Sequence, residues 1–280
     1  MKIGCIIQAR MSSSRLAGKV AQFLPFDSGI TVLEQVIRRV KKSKKIDKII
    51  VATTTNEDDN EIIKIANREQ VDFYRGLEEN VLSRYYLSAK KSNLDIIVRI
   101  TSDCPCIDWE IIDELIQKHI KEKNDYTTNA LKRSFPHGLD AEIINFKVLE
   151  EAYNNAKEKF EIEHVTPYIY KSHSEKFKIG ILEAQDELRA PNIRITLDTK
   201  EDYILLCAVY DFLYMKNRYF RAEDIIKLFN EKKWLYNINN KIEQKKVCKN
   251  LNEEIDEAIR LLNNQDLDRA KNYLKEKYYG

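Results

Sequence analysis

The stretch Lys2–Val20, KIGCIIQARMSSSRLAGKV, decides how the rest of the chain is read. Ile3, Cys5, Ile6 and Ile7 make a short apolar run that ends at Gln8. Such a run, bounded by a polar loop, suits a central strand of a parallel sheet, where both faces are covered. The loop Ala9–Gly18 follows, with Arg10 and Arg15 in it, Lys19 just beyond, and Ser12, Ser13 and Ser14 between the two arginines. Small residues let the backbone approach a ligand, and successive amide N–H groups form an anion-binding concavity. Three cations on one loop would hold a polyphosphate and neutralise charge that develops on it. The stretch therefore reads as a nucleotide-triphosphate loop. A Walker A loop would need glycine and Ser or Thr where Ser13 and Val20 stand, and no G-x-G-x-x-G triplet follows the strand. The plain alternative is a basic surface loop after a core strand.

The whole chain bounds that reading. Its 280 residues allow one large α/β domain with an appendage. Hydrophobic residues make up 43% and charged ones 33%, as in a soluble globular protein. A net charge of +2 lacks the basic excess of a dedicated nucleic-acid binder. No run reaches transmembrane length and Met1 leads straight into a strand, so a cytoplasmic protein is expected, without membrane or nucleic-acid partners. Five cysteines without a framework spacing fit reduced thiols in that compartment. Cys104 and Cys106 form a C-x-C pair, but the four histidines show no zinc-like spacing beside it, and buried thiols are the better reading.

Outward from the loop, strands and helices alternate. Val32, Leu33, Val36, Ile37 and Val40 recur at helical spacing, ahead of a lysine-rich turn Lys41–Lys45 that suits a helix end. Strands are expected at Ile46–Thr53, Val71–Tyr74 and Asp95–Ile100, and helices at Asn60–Glu69, Asn80–Lys91 and Asp108–Lys121. That rhythm predicts βαβ units and a mostly parallel sheet. Asp125–Thr128 and Ala141–Asn145 are further strand candidates. A strand at Ile193–Leu197, helices at Glu201–Met215 and Arg221–Glu231, and a closing stretch Trp234–Asn239 come next. Residues 241–280 read as a helical hairpin, with apolar stripes at Ile255, Ala258, Ile259, Leu262 and at Leu267, Ala270, Tyr273, Leu274. The expected division is a domain over 1–240, with a small protruding substructure near 130–185, and a helical C-terminal extension.

Four later motifs carry chemistry. The first is RITSDCP at Arg99–Pro105. Ligands of open α/β sheets sit beyond the carboxyl ends of the strands, so Asp103 should face the cationic loop. A carboxylate there is a natural magnesium ligand, since Mg2+ is held by one or two carboxylates plus substrate phosphates. Helix capping does not need Asp103, because Asp108 fills that post. SFPHGLDAE at Ser134–Glu142 and EHVTP at Glu163–Pro167 are the second and third. The fourth is RITLDTKED at Arg194–Asp202, where Thr199 with Asp202 makes a capping box and leaves Asp198 free.

These motifs resemble the sugar cytidylyltransferases, most closely the SpsF-like branch of spore-coat polysaccharide biosynthesis, and more distantly the CMP-Kdo and CMP-sialate synthetases. Ala9, Arg10, Ser13 or Ser14, Arg15, Leu16, Gly18 and Lys19 match the loop pattern, with Ala17 in place of the usual proline. The resemblance implies a three-layer α/β nucleotidyltransferase (GT-A-like) fold and transfer of CMP from CTP to an acidic ketosugar with release of pyrophosphate. It implies Arg10 and Lys19 as catalytic residues, and Ala9, Arg10, Ser13, Ser14, Arg15, Gly18, Lys19, Arg84 and Thr101 as nucleotide contacts. Asp103 and Asp198 would hold Mg2+, and Asp140, Glu142, His164 and Arg194 would meet the acceptor. A homodimer and a role in surface polysaccharide or glycan synthesis follow from the same resemblance. Another nucleotide, a sugar phosphate or a phosphonate acceptor remains open, as does a non-catalytic nucleotide binder or a glycosyltransferase-like protein. A glycosyltransferase would show a D-x-D motif at a strand end, and neither Asp103 nor Asp198 has that partner.

Overall fold

In the computed structural model, which describes residues 1–13, 15–242, 248 and 250–279, the opening apolar run is strand β1 (Ile3–Gln8). The elements after it are α1 (Val32–Val40), β2 (Lys48–Thr54), α2 (Asn60–Arg68), β3 (Asp72–Gly76), α3 (Val81–Lys91) and β4 (Ile96–Thr101). Then come α4 (Trp109–Glu122), β5 (Tyr126–Thr128), β6 (Glu142–Asn145), α5 (Phe146–Asn155), α6 (Lys159–His164) and β7 (Ile179–Ile181). Helices α7 (Lys200–Leu213), α8 (Ala222–Glu231) and α9 (Tyr236–Asn239) complete the first of two compact units, Met1–Lys241.

Across the sheet the order is β3-β2-β1-β4-β6-β5-β7. Strands β1 to β4 are parallel, β6 runs antiparallel to both β4 and β5, and β7 is parallel to β5. Alternation along β1 divides the core in two. Ile3, Cys5 and Ile7 pack with α1, α4, α7 and α8 on one face, while Ile6 packs with Tyr85, Tyr86, Tyr126 and Leu149 on the other. Covered on both faces, the central strand can be apolar at every position, which is why its sequence shows no polar alternation. In register, Gln8 lies between Ala52 of β2 and Thr101 of β4, so the β1 and β4 loops leave the sheet side by side.

Two expectations change. Segment 130–185 does not protrude as a separate substructure: it supplies β6 and β7 to the sheet, and its helices α5 and α6 pack on α3. Ile193–Leu197 is extended but not a ladder strand. It makes one bridge, His137 with Arg194, and is held by bonds from His137 N–H to Ile193 C=O (2.8 Å) and from Ile195 N–H to His137 C=O (2.7 Å). Its apolar residues Ile193, Ile195 and Leu197 are buried in the core beside α7, which gives the strand-like pattern without a strand partner on each side.

The second unit, Ile242–Gly280, contains the helices α10 (Leu251–Asn264) and α11 (Asp268–Tyr279), which pack on each other. Tyr279 donates its hydroxyl to Asp256 Oδ1 at 2.8 Å. No helix among the described residues is long and apolar enough to cross a membrane.

Candidate active site

The cationic loop is closed at its base by two backbone bonds. Ala9 N–H donates to Ala52 C=O (3.0 Å), and Gly18 N–H to Met11 C=O (2.9 Å). Gly18 has φ +67°, the left-handed conformation that glycine adopts without Cβ strain, and it turns the chain into a short 3-10 turn at Lys19–Ala21. Asp59, in the turn between the expected strand Ile46–Thr53 and helix Asn60–Glu69, ties this loop down. Its Oδ1 accepts Met11 N–H at 2.7 Å, and its Oδ2 accepts Thr54 N–H at 3.1 Å and the hydroxyls of Thr53 (3.0 Å) and Thr54 (2.5 Å). Asp59 is buried and belongs to the second βα connection, so the loop is braced by a neighbouring unit. Its sequence signal is only a run of three threonines at a strand end followed by acids, which is ordinary turn composition.

Lys19 stands at the centre of the cluster. Its ammonium donates to Asp103 Oδ2 (2.9 Å), Leu197 C=O (2.7 Å) and Asp198 Oδ1 (3.0 Å). Arg15 joins Asp198 Oδ1 at 3.0 Å, and Arg194 reaches Asp198 Oδ2 at 3.0 Å. Burial disfavours the Lys19 charge, but the attraction of Asp103 and Asp198 outweighs it and its pKa lies above the usual lysine value. Burial pushes Asp103 up in turn, yet Lys19 and the Thr101 hydroxyl hold it well below the ordinary carboxylate range. Thr101 ends β4 opposite Gln8 and so sits at the lip of the loop. Asp108 and Thr199 cap α4 and α7, leaving both central aspartates to the cluster.

Asp198 reaches this place through backbone bonds to Asp103 itself. Leu197 N–H donates to Asp103 C=O at 2.8 Å and Thr196 Oγ1 to the same oxygen at 3.2 Å. Gly138, at φ +113°, packs against the other side of this segment, where a Cβ would lie 2.7 Å from both C and O of Ile195. Around it, Arg194 forks onto Asp202 (2.9 Å to each oxygen), and His137 Nδ1 lies 3.2 Å from Arg194 Nη1. His137 Nε2 lies 3.5 Å from Asp140, which Arg133 holds at 2.9 Å. Burial lowers the His137 pKa; Asp140 raises it, but Arg133 and Arg194 lower it further, so the ring is neutral at pH 7. His137 is a site neighbour that a lone histidine in a turn could not announce.

The remaining candidates divide. On the loop's other flank, Arg10 pairs with Glu78 at 3.2 Å, and Glu78 also accepts from Ser12. Arg84 is buried there and donates to the carbonyls of Leu77 (2.6 Å) and Glu78 (3.0 Å), holding that turn. Ser13 is half-buried on the loop, and Ser14 lies outside the described residues. Glu142 is not with the Lys19 cluster. It faces Arg99 across β4 and β6, accepts from Tyr126 Oη and from Thr166 Oγ1 (2.8 Å), and is thereby committed to the sheet. His164 ends α6, which packs on α3 at the other face of the sheet.

The carboxylates fit a divalent cation. Oxygens of Asp103 and Asp198 converge within 3.0 Å of one atom, Lys19 Nζ. Among the described residues no cluster of three or more metal-binding side chains occurs. Two carboxylates whose coordination is completed by substrate phosphates is the arrangement magnesium favours.

A parallel α/β sheet with a cationic loop facing two carboxylates at its carboxyl edge defines a nucleotidyltransferase. The cytidylyltransferase family model matches residues 4–255. The chain is 36% identical over 212 residues to the spore coat polysaccharide biosynthesis protein SpsF of Bacillus subtilis, covering 73% of this chain and 85% of that one. A shorter match, 36% over 133 residues, joins 47% of this chain to 51% of the 3-deoxy-manno-octulosonate cytidylyltransferase of Fusobacterium nucleatum. Among solved structures, a cytidylyltransferase from Leptospira borgpetersenii superposes with a TM-score of 0.79 at 33% identity, over 88% of this chain and all of that one. The chain belongs to the cytidylyltransferase family: it is an enzyme that uses CTP and releases pyrophosphate.

Proposed function

We propose that the enzyme transfers CMP from CTP to an acidic ketosugar of the nonulosonate type, with Mg2+, in the synthesis of a surface polysaccharide or glycan. The observation that carries this is Lys19, whose ammonium lies 2.9 and 3.0 Å from two carboxylates that are far apart in the sequence. The two relatives above, one in polysaccharide biosynthesis and one acting on a ketosugar acid, support the acceptor class.

Arg10, Arg15 and Lys19 bind the triphosphate, exchanging Glu78 and Asp198 for phosphate oxygens. Lys19 offsets charge that builds on the α-phosphoryl oxygens, and Asp103 and Asp198 hold the magnesium, which neutralises phosphate charge when bound. Acceptor oxygen, phosphorus and leaving pyrophosphate are then held in line, so the chain needs no nucleophile of its own. The acceptor lies beside His137, Asp140 and Arg194, next to the metal pair; Glu142 and His164 are left out of the contact set. The enzyme works in the cytoplasm as a homodimer, with the region near 130–185 at the acceptor side and residues 241–280 as an extension.

A pyrophosphate-release screen of the four nucleoside triphosphates against nonulosonates, Kdo, sugar phosphates and phosphonates tests the reading. Turnover only with CTP and a 2-keto sugar acid is expected. Turnover with a sugar phosphate and none with any keto acid would replace the acceptor class.

A further inference from the structure

At the end of α7 farthest from Asp198, a cavity of about 430 Å³ opens between the C-terminal end of α1 and the α7–α8 connection. The 14 residues of α7 put it about 20 Å from Asp198, at 1.5 Å per residue. Four cations line it, Arg38, Lys41, Lys42 and Arg218, with Glu69 as the one carboxylate on the wall and Glu34 behind Arg38 at 3.7 Å. In a chain whose net charge is only +2, that is a concentrated positive site.

Three of these cations are held in place. Glu69 fixes Arg38 through Nε (2.7 Å) and Lys41 through Nζ (3.2 Å), so neither side chain swings freely. The Lys42 ammonium sits 4.1 Å from the centre of the Tyr219 ring, which is braced edge-on by Trp109 at 6.1 Å. Arg218 is exposed on the cavity wall. Beneath them the buried Tyr214 stacks on Tyr210, 5.6 Å between ring centres, and gives the cavity a rigid floor. A lysine-rich helix end complementing the macrodipole accounts for Lys41 and Lys42. It does not account for Arg218, which arrives from a different segment.

We propose that this cavity is a second anion site that takes a small phosphate-bearing molecule, pyrophosphate or orthophosphate, apart from the triphosphate loop. Its size admits either ion, and pre-positioned cations with few apolar walls select charge over shape. Pyrophosphate is the reaction's own product, so the site would report product accumulation at a distance from the chemistry.

The test is calorimetric titration of the full chain with inorganic pyrophosphate and, separately, orthophosphate, alongside NMR of the Trp109 indole. Wild-type protein is expected to show two classes of pyrophosphate site. Lys19→Ala should weaken one class and leave the indole shift intact. The double variant Lys42→Glu, Arg218→Glu should weaken the other more than tenfold and abolish the shift, with CTP turnover within twofold of wild type. Both residues are exposed, and Lys42→Gln with Arg218→Gln repeats the test without charge reversal. Orthophosphate that competes equally would make a single phosphate the ligand. One class of site in wild type, or an indole shift that survives the double variant, would overturn the proposal.

Discussion

Gly138→Ala tests the placement of Asp198 without touching a charged group. Gly138 has φ +113°, and a Cβ there would stand 2.7 Å from C and O of Ile195 and 2.9 Å from N of Thr196. An ordinary contact is about 3.5 Å or more, so the peptide must give way by roughly 0.8 Å. The backbone conformation itself costs an L-residue about 1–3 kcal/mol. All three atoms belong to the segment that places Asp198, and a displacement of about 1 Å at a reacting centre costs on the order of 100-fold in rate. We expect kcat to fall about 100-fold while KM for CTP moves far less, because the loop cations lie on the β1 side of the site. Thermal unfolding should come roughly 4–8 °C earlier, from about 2 kcal/mol at 2–4 °C per kcal/mol in a domain of this size. Pyrophosphate release at varied CTP and a melting curve read both quantities. A variant with wild-type turnover and an unchanged melting temperature would show that Gly138 does not set the position of Asp198.

Three further outcomes are expected. Asp103→Asn and Asp198→Asn should each weaken the magnesium response and slow turnover, and the double variant should lose less than the sum, since one metal site is broken once; additive losses measured across a magnesium titration would separate the two. Asp59→Asn turns an N–H donor toward another donor in a buried site, at a cost of about 1–3 kcal/mol, so KM for CTP should rise roughly tenfold with kcat less affected; an unchanged KM would mean the loop holds itself. Asp202→Asn should destabilise the protein by about 2 kcal/mol at pH 7, as two bonds from Arg194 weaken. Burial raises the Asp202 pKa, but Arg194 and Asn239 lower it more. The wild-type advantage should therefore be complete above about pH 4 and fade as pH drops through the lowered value, which pH-dependent melting will follow.

The fold was legible where local and long-range demands agree. The run Ile3–Gln8 is apolar at nearly every position because a parallel central strand is covered twice, and the helices announced themselves by spacing and caps such as Thr199 with Asp202. Legibility failed where one pattern serves two structures. Ile193, Ile195 and Leu197 alternate like a strand because one side of the segment faces the core, yet its backbone pairs with His137 and Asp103 and not with a sheet neighbour. Periodicity records burial, and a buried extended segment leaves the same trace as a strand.

The same limit governs the site. Asp103 could be placed at the sheet edge from its own strand, since the register of β1 against β4 follows from the parallel pattern. The strand expected at Ile193–Leu197 does not join the sheet, and Asp198 arrives by hanging on the carbonyl of Asp103 through Leu197 and Thr196. Glu142 and Asp140 show the complementary case. They sit two residues apart in one motif, a spacing that puts both on one face of a regular strand, but Asp140 lies in the turn ahead of β6 and Glu142 is its first residue. Asp140 turns toward His137 and Arg133, while Glu142 turns into the sheet to meet Arg99 and Tyr126. A motif shared by a family marks both residues alike, and the point at which β6 begins separates the one that faces the site from the one that holds the sheet beneath it.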